Sequence, residues 1–428
     1  MNHQFELPGS YKKWTYGLIG AGIIALLYGM IAFHPFEAVS HAAGHDAHAN
    51  TDSTRFWAVL LQNSVFFLLV VNAAMFFICV TTMAMAGWVV AFRRVSEAIS
   101  SVVPILGILT FAILMAIIWG GRTDIYHWLD PQLYDKNSPS FDKILDGKHG
   151  FLNPVFFTIW SAITIFLWWL LGKKMRSMSL ESDKDGNMDY ETGKKWIWKN
   201  TVYASLFCVV FTLTVASTIP WIWLMSIDAH WYSTMYSWYT FASTFVSGMS
   251  LIALFVIYLK NRGQLPYVTE EHLHDLGKFM FAFSVFWTYL WFSQYMLIWY
   301  SNQPEETKYF VERIGTAEKR GAYYGIFFFN LVVNFLCPLL ILMKRGTKRN
   351  WTSVTVMAVL IIFGHWIDFF QMVMPGTLHE NYHLMPFEFG IGCLFVGLIM
   401  WGTGRYLSSH SLLAKNHPFL KESMIHHT

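Results

Sequence analysis

Residues 351–374 read WTSVTVMAVLIIFGHWIDFFQMVM, with no Lys or Arg and a single carboxylate, Asp368. At about 1.5 Å of rise per residue, an α-helix of this length covers the roughly 30 Å of hydrocarbon in a bilayer. A barrel strand is nearer ten residues and alternates in polarity, whereas this run is continuously apolar apart from its few polar positions. The stretch therefore predicts a membrane-spanning helix. It also poses a question, because His365, Asp368 and Gln371 recur every three residues and so share one face of that helix.

The rest of the chain repeats the pattern. Of 428 residues, 55% are hydrophobic, 18% aromatic and only 13% charged, against about 25% charged in a typical soluble protein. The fold class expected is an all-α polytopic membrane protein with no sizeable soluble domain. Ten spans are predicted, close to Trp14 to Phe33, Trp57 to Met85, Ala98 to Trp119, Phe151 to Leu171, Thr201 to Leu224, Ser233 to Leu259, Gly277 to Trp299, Ala322 to Met343, Trp351 to Met374 and Pro386 to Leu407. The net charge of +3 says little about partners, and nothing suggests nucleic acid.

The basic residues set the expected orientation. None of the 30 Lys and Arg lies deep in a span, and 21 fall to the N-terminal tail, the even-numbered connections and the C-terminal tail, against nine on the opposite side. The connections MSIDAHWYST (225–234) and MPGTLHENYHLM (374–385) carry none. By the positive-inside rule both termini are cytoplasmic. Lys12 and Lys13 before the first span and AVSHAA after it suggest a signal peptide, but an apolar run of about twenty residues fits a retained anchor better.

Spans two to five and six to nine follow one plan, an inner loop, a long outer loop and a second inner loop. This predicts two four-helix bundles of the same topology, plus two flanking helices. The expected divisions are 1–56, an anchor span and a His-rich outer loop; 57–232, the first bundle; 233–385, the second; and 386–428, the tenth span with a cytoplasmic tail. Cys79, Cys208, Cys337 and Cys393 sit on different spans without any CxxC or CxxCH pattern, so no disulfide framework, iron–sulfur ligation or covalent haem attachment is expected.

Polar side chains in hydrocarbon cost about 2.5 to 3.5 kcal/mol each when ionisable, so those present ask for a reason. Asp368 is the strongest candidate, with His365 and Gln371 on its face and Glu388 at the mouth of the tenth span. Asn330 and Asn334 stack at i and i+4 in the eighth span; Gln294 and Ser293 lie in the seventh, and Gln62, Asn63 and Asn72 in the second. Taken singly, Asn, Gln and Ser read more readily as interhelical glue. For Asp368 the default is a proton relay or ion path, the plainer alternative being a neutral carboxyl hydrogen-bonded to His365.

A transmembrane b-type haem needs two His at matching depth, and His365 is the only one well inside a span, so no haem is expected on this chain. His34, His41, His45 and His48 lie in the first outer loop, where a solvated or partner-covered segment is favoured over metal binding.

The stretches HLHDLGKFMFAFSVFWTYLWFSQYMLIWYSNQPEET (272–307), MSIDAHWYSTMYSWYTFASTFVSG (225–248) and GWVVAFRRVSEAI (87–99) resemble the NrfD/polysulfide-reductase-type integral membrane subunits of bacterial alternative complex III, most of all the shorter, ActF-like kind. The resemblance covers nearly the whole chain. It implies a subunit of a respiratory quinol:electron-acceptor oxidoreductase in the bacterial inner membrane, not catalytic alone. Haem c and iron–sulfur clusters would sit in partner subunits, and menaquinol or another quinol would bind a homologous sibling. Asn72 stands where quinol-oxidising relatives carry His, which argues against quinol oxidation here. Arg122, Asp124 and His127 nevertheless resemble the lining of the sibling's site, so with Asn72 they form a candidate quinone-like pocket.

The expected role is then a proton path. Entry would run near His274 and Asp275, along Asn334 and Asn330, with Gln294 and Tyr289 bridging, and exit past Asp368 toward Glu388, His379 and His383. The competing readings are a purely structural scaffold and a proton-coupled secondary transporter; Pro220 and Pro338 lie deep enough in their spans to keep the transporter open.

Overall fold

The structure, a computed structural model, describes residues 6–36, 51–183, 189–316, 318–381 and 386–427. His41, His45, His48 and His383 lie outside the described residues. Ten long helices account for most of it: α1 Gly9–Ala32, α2 Thr51–Met83, α3 Gly87–Trp119, α4 Pro154–Ser182, α5 Tyr190–Trp223, α6 Met235–Asn261, α7 Glu270–Ser301, α8 Tyr324–Leu342, α9 Trp351–Leu378 and α10 Pro386–Ser409. No β-strand occurs among the described residues. All but α7 are long and apolar enough to cross a membrane, so the chain is an all-α, multi-pass membrane protein. Helix α7 has the length, 32 residues, but its first three turns carry Glu270, Glu271, His272, His274, Asp275 and Lys278.

Local chemistry sets several boundaries. Asn153, Asp189 and Asn350 accept backbone N–H bonds at the starts of α4, α5 and α9, satisfying donors that a helix N-terminus leaves open. Asn302 ends α7 with a left-handed φ of 48°. Pro220 and Pro338 lie inside α5 and α8 without ending them. In each case a π turn, Thr214–Thr218 or Val332–Leu336, finishes two residues earlier and makes room for a ring that lacks an N–H and would strike the preceding turn.

Packing is ordered around α2 and α6, which are the most enclosed helices. Helices α2, α3, α4 and α5 each pack on the next, and α5 returns to α2; α6, α7, α8 and α9 do the same, with α9 returning to α6. Contacts of α2 with α6 and α9, and of α6 with α5, join the two sets. Between lipid-solvated helices close approach replaces the hydrophobic effect, and small residues permit it. A Cβ on Gly248 of α6 would stand 2.9 Å from the Cβ of Ala73 on α2. The outlying α1 lies along α10, and a Cβ on Gly22 would fall 2.3 Å from that of Leu394.

Candidate functional site

The carboxylate of Asp368 lies at the meeting of α6, α7, α8 and α9 and is fully buried. Three neutral donors hold it. The Tyr239 hydroxyl of α6 and Asn330 Nδ2 of α8 (2.9 Å) donate to Oδ1, and Trp287 Nε1 of α7 donates to Oδ2 at 3.0 Å. Each hydrogen bond to an ionised group contributes on the order of 1.5–3 kcal/mol, so the set offsets the cost of placing a carboxylate in hydrocarbon. The sequence could not show this, because the donors come from three other helices.

His365, one turn before Asp368, faces the same region but does not hydrogen-bond to it. Its Nδ1 is 2.9 Å from Ser243 Oγ and 3.7 Å from Asp368 Oδ2. The carboxyl–imidazole bond of the plainer alternative is therefore replaced by the three donors, and the Nε2 of His365 is buried without a hydrogen-bond partner. From Oδ1 a polar column runs along α8, because Asn334 Nδ2 donates to Asn330 Oδ1 at 2.5 Å. Gly364 makes that approach possible: a Cβ there would fall 2.1 Å from Asn334 Oδ1.

On the other side of Asp368 a small cavity opens, lined among others by Tyr239, Gln294, Tyr309, Arg313 and Gln371. It leaves about 20 Å³ for the centre of a water molecule, enough for one or two waters at ~10–15 Å³ each. Arg313 is 2% exposed. It belongs to the short helix Pro304–Ile314, in the expected outer loop, which folds back over the helix ends. Its guanidinium lies 3.3 Å from the centroid of the Tyr309 ring. It donates to the carbonyls of Tyr309 (2.6 Å) and Gln371 (3.0 and 3.3 Å). Among the described residues no carboxylate stands within salt-bridge distance of it, so a buried cation and a buried carboxylate share one cavity without touching. Next to Arg313, burial first and the nearby Asp228 second push the Glu312 carboxyl up to about 7.

Asp368, His365, Gln371, Asn330, Asn334 and Gln294 are thus brought together as expected. Others are not. Tyr289 is 61% exposed, because it lies two residues, about 200° of helix turn, from the inward-facing Trp287. Glu388 is buried but turned to α2, where Arg55 Nη2 and Nε bind Oε1 at 2.6 and 2.9 Å. Helix α10 packs on the Trp366 side of α9, with Trp366 Nε1 on Asn63 Oδ1 and Phe389 against its ring, and Asp368 faces the other way. His379 sits past the end of α9 with a positive φ, and no described contact joins it to Asp368.

His274 and Asp275 lie at the other end of α7, where Asp275 pairs with Lys278 (2.5 Å) and His426 (2.7 Å). About 18 Å of helix separates Asp275 from Trp287. The buried side chains in that stretch are Leu276, Met280 and Ser284, which form no continuous polar chain.

The quinone-like pocket does not assemble either. Arg122 and Asp124 pair with each other at 2.6 Å, and Thr54 at the start of α2 donates to Asp124. Asn72 is eighteen residues further along α2, about 27 Å away, and His127 is exposed. Asn72 is fully buried, with neither polar atom of its side chain hydrogen-bonded.

Tyr239, Ser243, Trp287, Tyr309 and Arg313 escaped the sequence reading. Tyr239 and Ser243 share a helix face at i and i+4, and Trp287 and Gln294 do so at i and i+7, a periodicity that signals them once the facing helix is known. No protein-family model matches this sequence, and no curated protein matches it.

Proposed function

We propose that this chain is an integral membrane subunit of a respiratory quinol:electron-acceptor oxidoreductase of the alternative complex III type, in the bacterial inner membrane, and that it carries protons through Asp368. The two four-helix bundles, 57–232 and 233–385, would stand side by side with the chain ends and α7's charged first turns in the cytoplasm. Subunits bearing haem c and iron–sulfur clusters, and a quinol-oxidising sibling, would be its partners. What supports the reading is the sequence resemblance together with one site. Asp368 is an ionisable group in mid-helix, hydrogen-bonded on one side to the Asn330–Asn334 column and open on the other to a water-sized cavity beside Arg313.

Within that reading the chemistry belongs to this chain's own side chains. Asp368 takes up a proton from the Asn330 side and releases it toward the cavity, where Tyr239, Gln294 and Gln371 orient water beside Arg313. Glu312, with Asp228, is the natural receiver near the outer surface, in place of Glu388. The scaffold reading keeps one observation in its favour, the lack of a continuous polar chain on α7 between Asp275 and Trp287.

The test is acidification. The complex purified with its haem-bearing partners is reconstituted into liposomes and given quinol and acceptor. Asp368→Asn is expected to keep electron transfer and lose proton release beyond that of quinol oxidation. Undiminished release takes Asp368 out of the path, and a chain that purifies without haem-bearing polypeptides overturns the assignment to such a complex.

A further inference from the structure

A second buried charge cluster lies at the opposite end of the molecule, where α2 ends, α3 begins and the C-terminal segment folds back. Arg93 Nε and Arg94 Nη1 bind the two oxygens of Glu97 at 3.0 and 2.8 Å, and Arg94 Nη2 reaches Asp183 at 2.5 Å. Arg176 joins from α4, donating to Ser100 at 3.1 Å. All three arginines are buried, so three cations face two carboxylates. His417 adds no charge, because burial, with Arg93 and Arg94 close by, pushes its imidazole well below its ordinary value. One positive charge is left over, and a buried charge without a counter-ion is costly.

The excess has a direction. Arg93 is 3% exposed; its Nε is on Glu97 and its Nη1 on Thr82 Oγ1 at 3.2 Å, but its Nη2 has no partner. Arg93 lines a half-open cavity whose far wall is Asn200 of α5 and His417. Asn200 is fully buried, and its Oδ1 is likewise without a partner, while its Nδ2 is held by the Trp196 carbonyl. The remaining lining is largely apolar, and Met83 and Met85 lie exposed on the flank.

From this we infer that the cavity is a site for a phosphate ester bearing a free hydroxyl, supplied by an anionic phospholipid such as phosphatidylglycerol. Arg93 Nη2 donates to a phosphate oxygen, and a headgroup hydroxyl donates to Asn200 Oδ1. With about 20 Å³ for the centre of a water-sized group, the cavity takes the two hydrogen-bonding oxygens, while the phosphorus, glycerol and acyl chains lie outside it along Met83 and Met85. A zwitterionic choline headgroup has no hydroxyl to give and brings a cation toward the arginines, so it fits poorly.

The test uses the full chain in detergent with whatever polypeptides stay bound to it. Phosphatidylglycerol, phosphatidylcholine and inorganic phosphate are added separately, and thermal unfolding and native mass spectra are recorded. Phosphatidylglycerol is expected to raise the melting temperature by several degrees at ~100-fold excess over its Kd and to be retained as one adduct. Because Arg93→Gln strips Glu97 of a partner and can unfold the protein, Ala86→Phe is the second variant; it fills the cavity and leaves the ion pairs intact. It is expected to keep the lipid-free melting temperature and weaken phosphatidylglycerol by at least about tenfold. An equal shift from phosphatidylcholine, no shift from any of the three, or an Ala86→Phe protein that responds like wild type overturns the site. A shift from inorganic phosphate alone, lost in Ala86→Phe, overturns the lipid as its source and keeps the phosphate chemistry.

Discussion

Replacing Asp368 tests the central geometry independently of any transport assay. In Asp368→Leu the Tyr239 hydroxyl, Asn330 Nδ2 and Trp287 Nε1 all lose their acceptor in a buried region that meets only the small cavity beside Arg313 and not bulk water. An orphaned buried donor costs about 1–3 kcal/mol, and three of them, allowing for local relaxation, about 3–6 kcal/mol. Asp368→Asn is milder. Its carbonyl oxygen still serves the two donors now on Oδ1, but its NH2 confronts the Trp287 N–H, leaving one donor orphaned at about 1–3 kcal/mol. Tyr239→Phe leaves the carboxylate with two donors and removes one charge-assisted bond, at about 1.5–3 kcal/mol. The assay is equilibrium unfolding of the full chain in mixed micelles with increasing dodecyl sulfate, followed by tryptophan fluorescence. If Leu and Asn cost the same, or if both lie within about 0.5 kcal/mol of wild type, the carboxylate is not held by these donors and the reasoning fails.

Three further outcomes follow from neighbouring contacts. Gly364→Ala sets a Cβ against Asn334 Oδ1 and Val333, so it is expected to cost about 1–3 kcal/mol by overpacking and to be relieved in the Gly364→Ala/Asn334→Ala double variant, read by the same unfolding titration. Glu388→Gln leaves Arg55 buried and unpaired, at about 3–5 kcal/mol, whereas Arg55→Met/Glu388→Met is expected to be far milder; a double variant no better than the single refutes the pair. Glu312 is pushed up to about 7 from an ordinary value of 4.5, so the folded state holds its proton more tightly than the unfolded chain does. The stability linked to it is present in full below pH 4.5 and is lost as pH rises through 7, at most about 3 kcal/mol in all. Glu312→Gln should flatten that part of the melting temperature's pH profile between 4.5 and 7, and an unchanged profile would show the carboxyl to be ordinary.

The composition of the candidate site was half legible in the sequence. The three-residue spacing of His365, Asp368 and Gln371 and the four-residue spacing of Asn330 and Asn334 fix which side chains share a face, and the structure turns both faces inward. Tyr289 was misread because a polar-tipped aromatic suits a membrane surface as well as an interior, and only its angle to Trp287 decides between them. Glu388 was misread because proximity in sequence to α9 says nothing about which side of α9 its helix packs on. Arg313, in what reads as a solvated loop, becomes buried only when that loop's short helix lies across the mouth of the site.

Apolar runs long enough to cross hydrocarbon, with caps and helix-ending residues between them, determine from the sequence alone that this is a bundle of membrane helices with a carboxylate set in the run 351–374. Those signals are local, since a helix closes its backbone hydrogen bonds within its own segment. The partners of that carboxylate were decided only by the tertiary structure. Tyr239, Trp287 and Asn330 lie between 38 and 129 residues from Asp368 along the chain. They meet it because close helix packing, permitted at points such as Gly364 and Gly248, fixes the rotation of each helix against its neighbours.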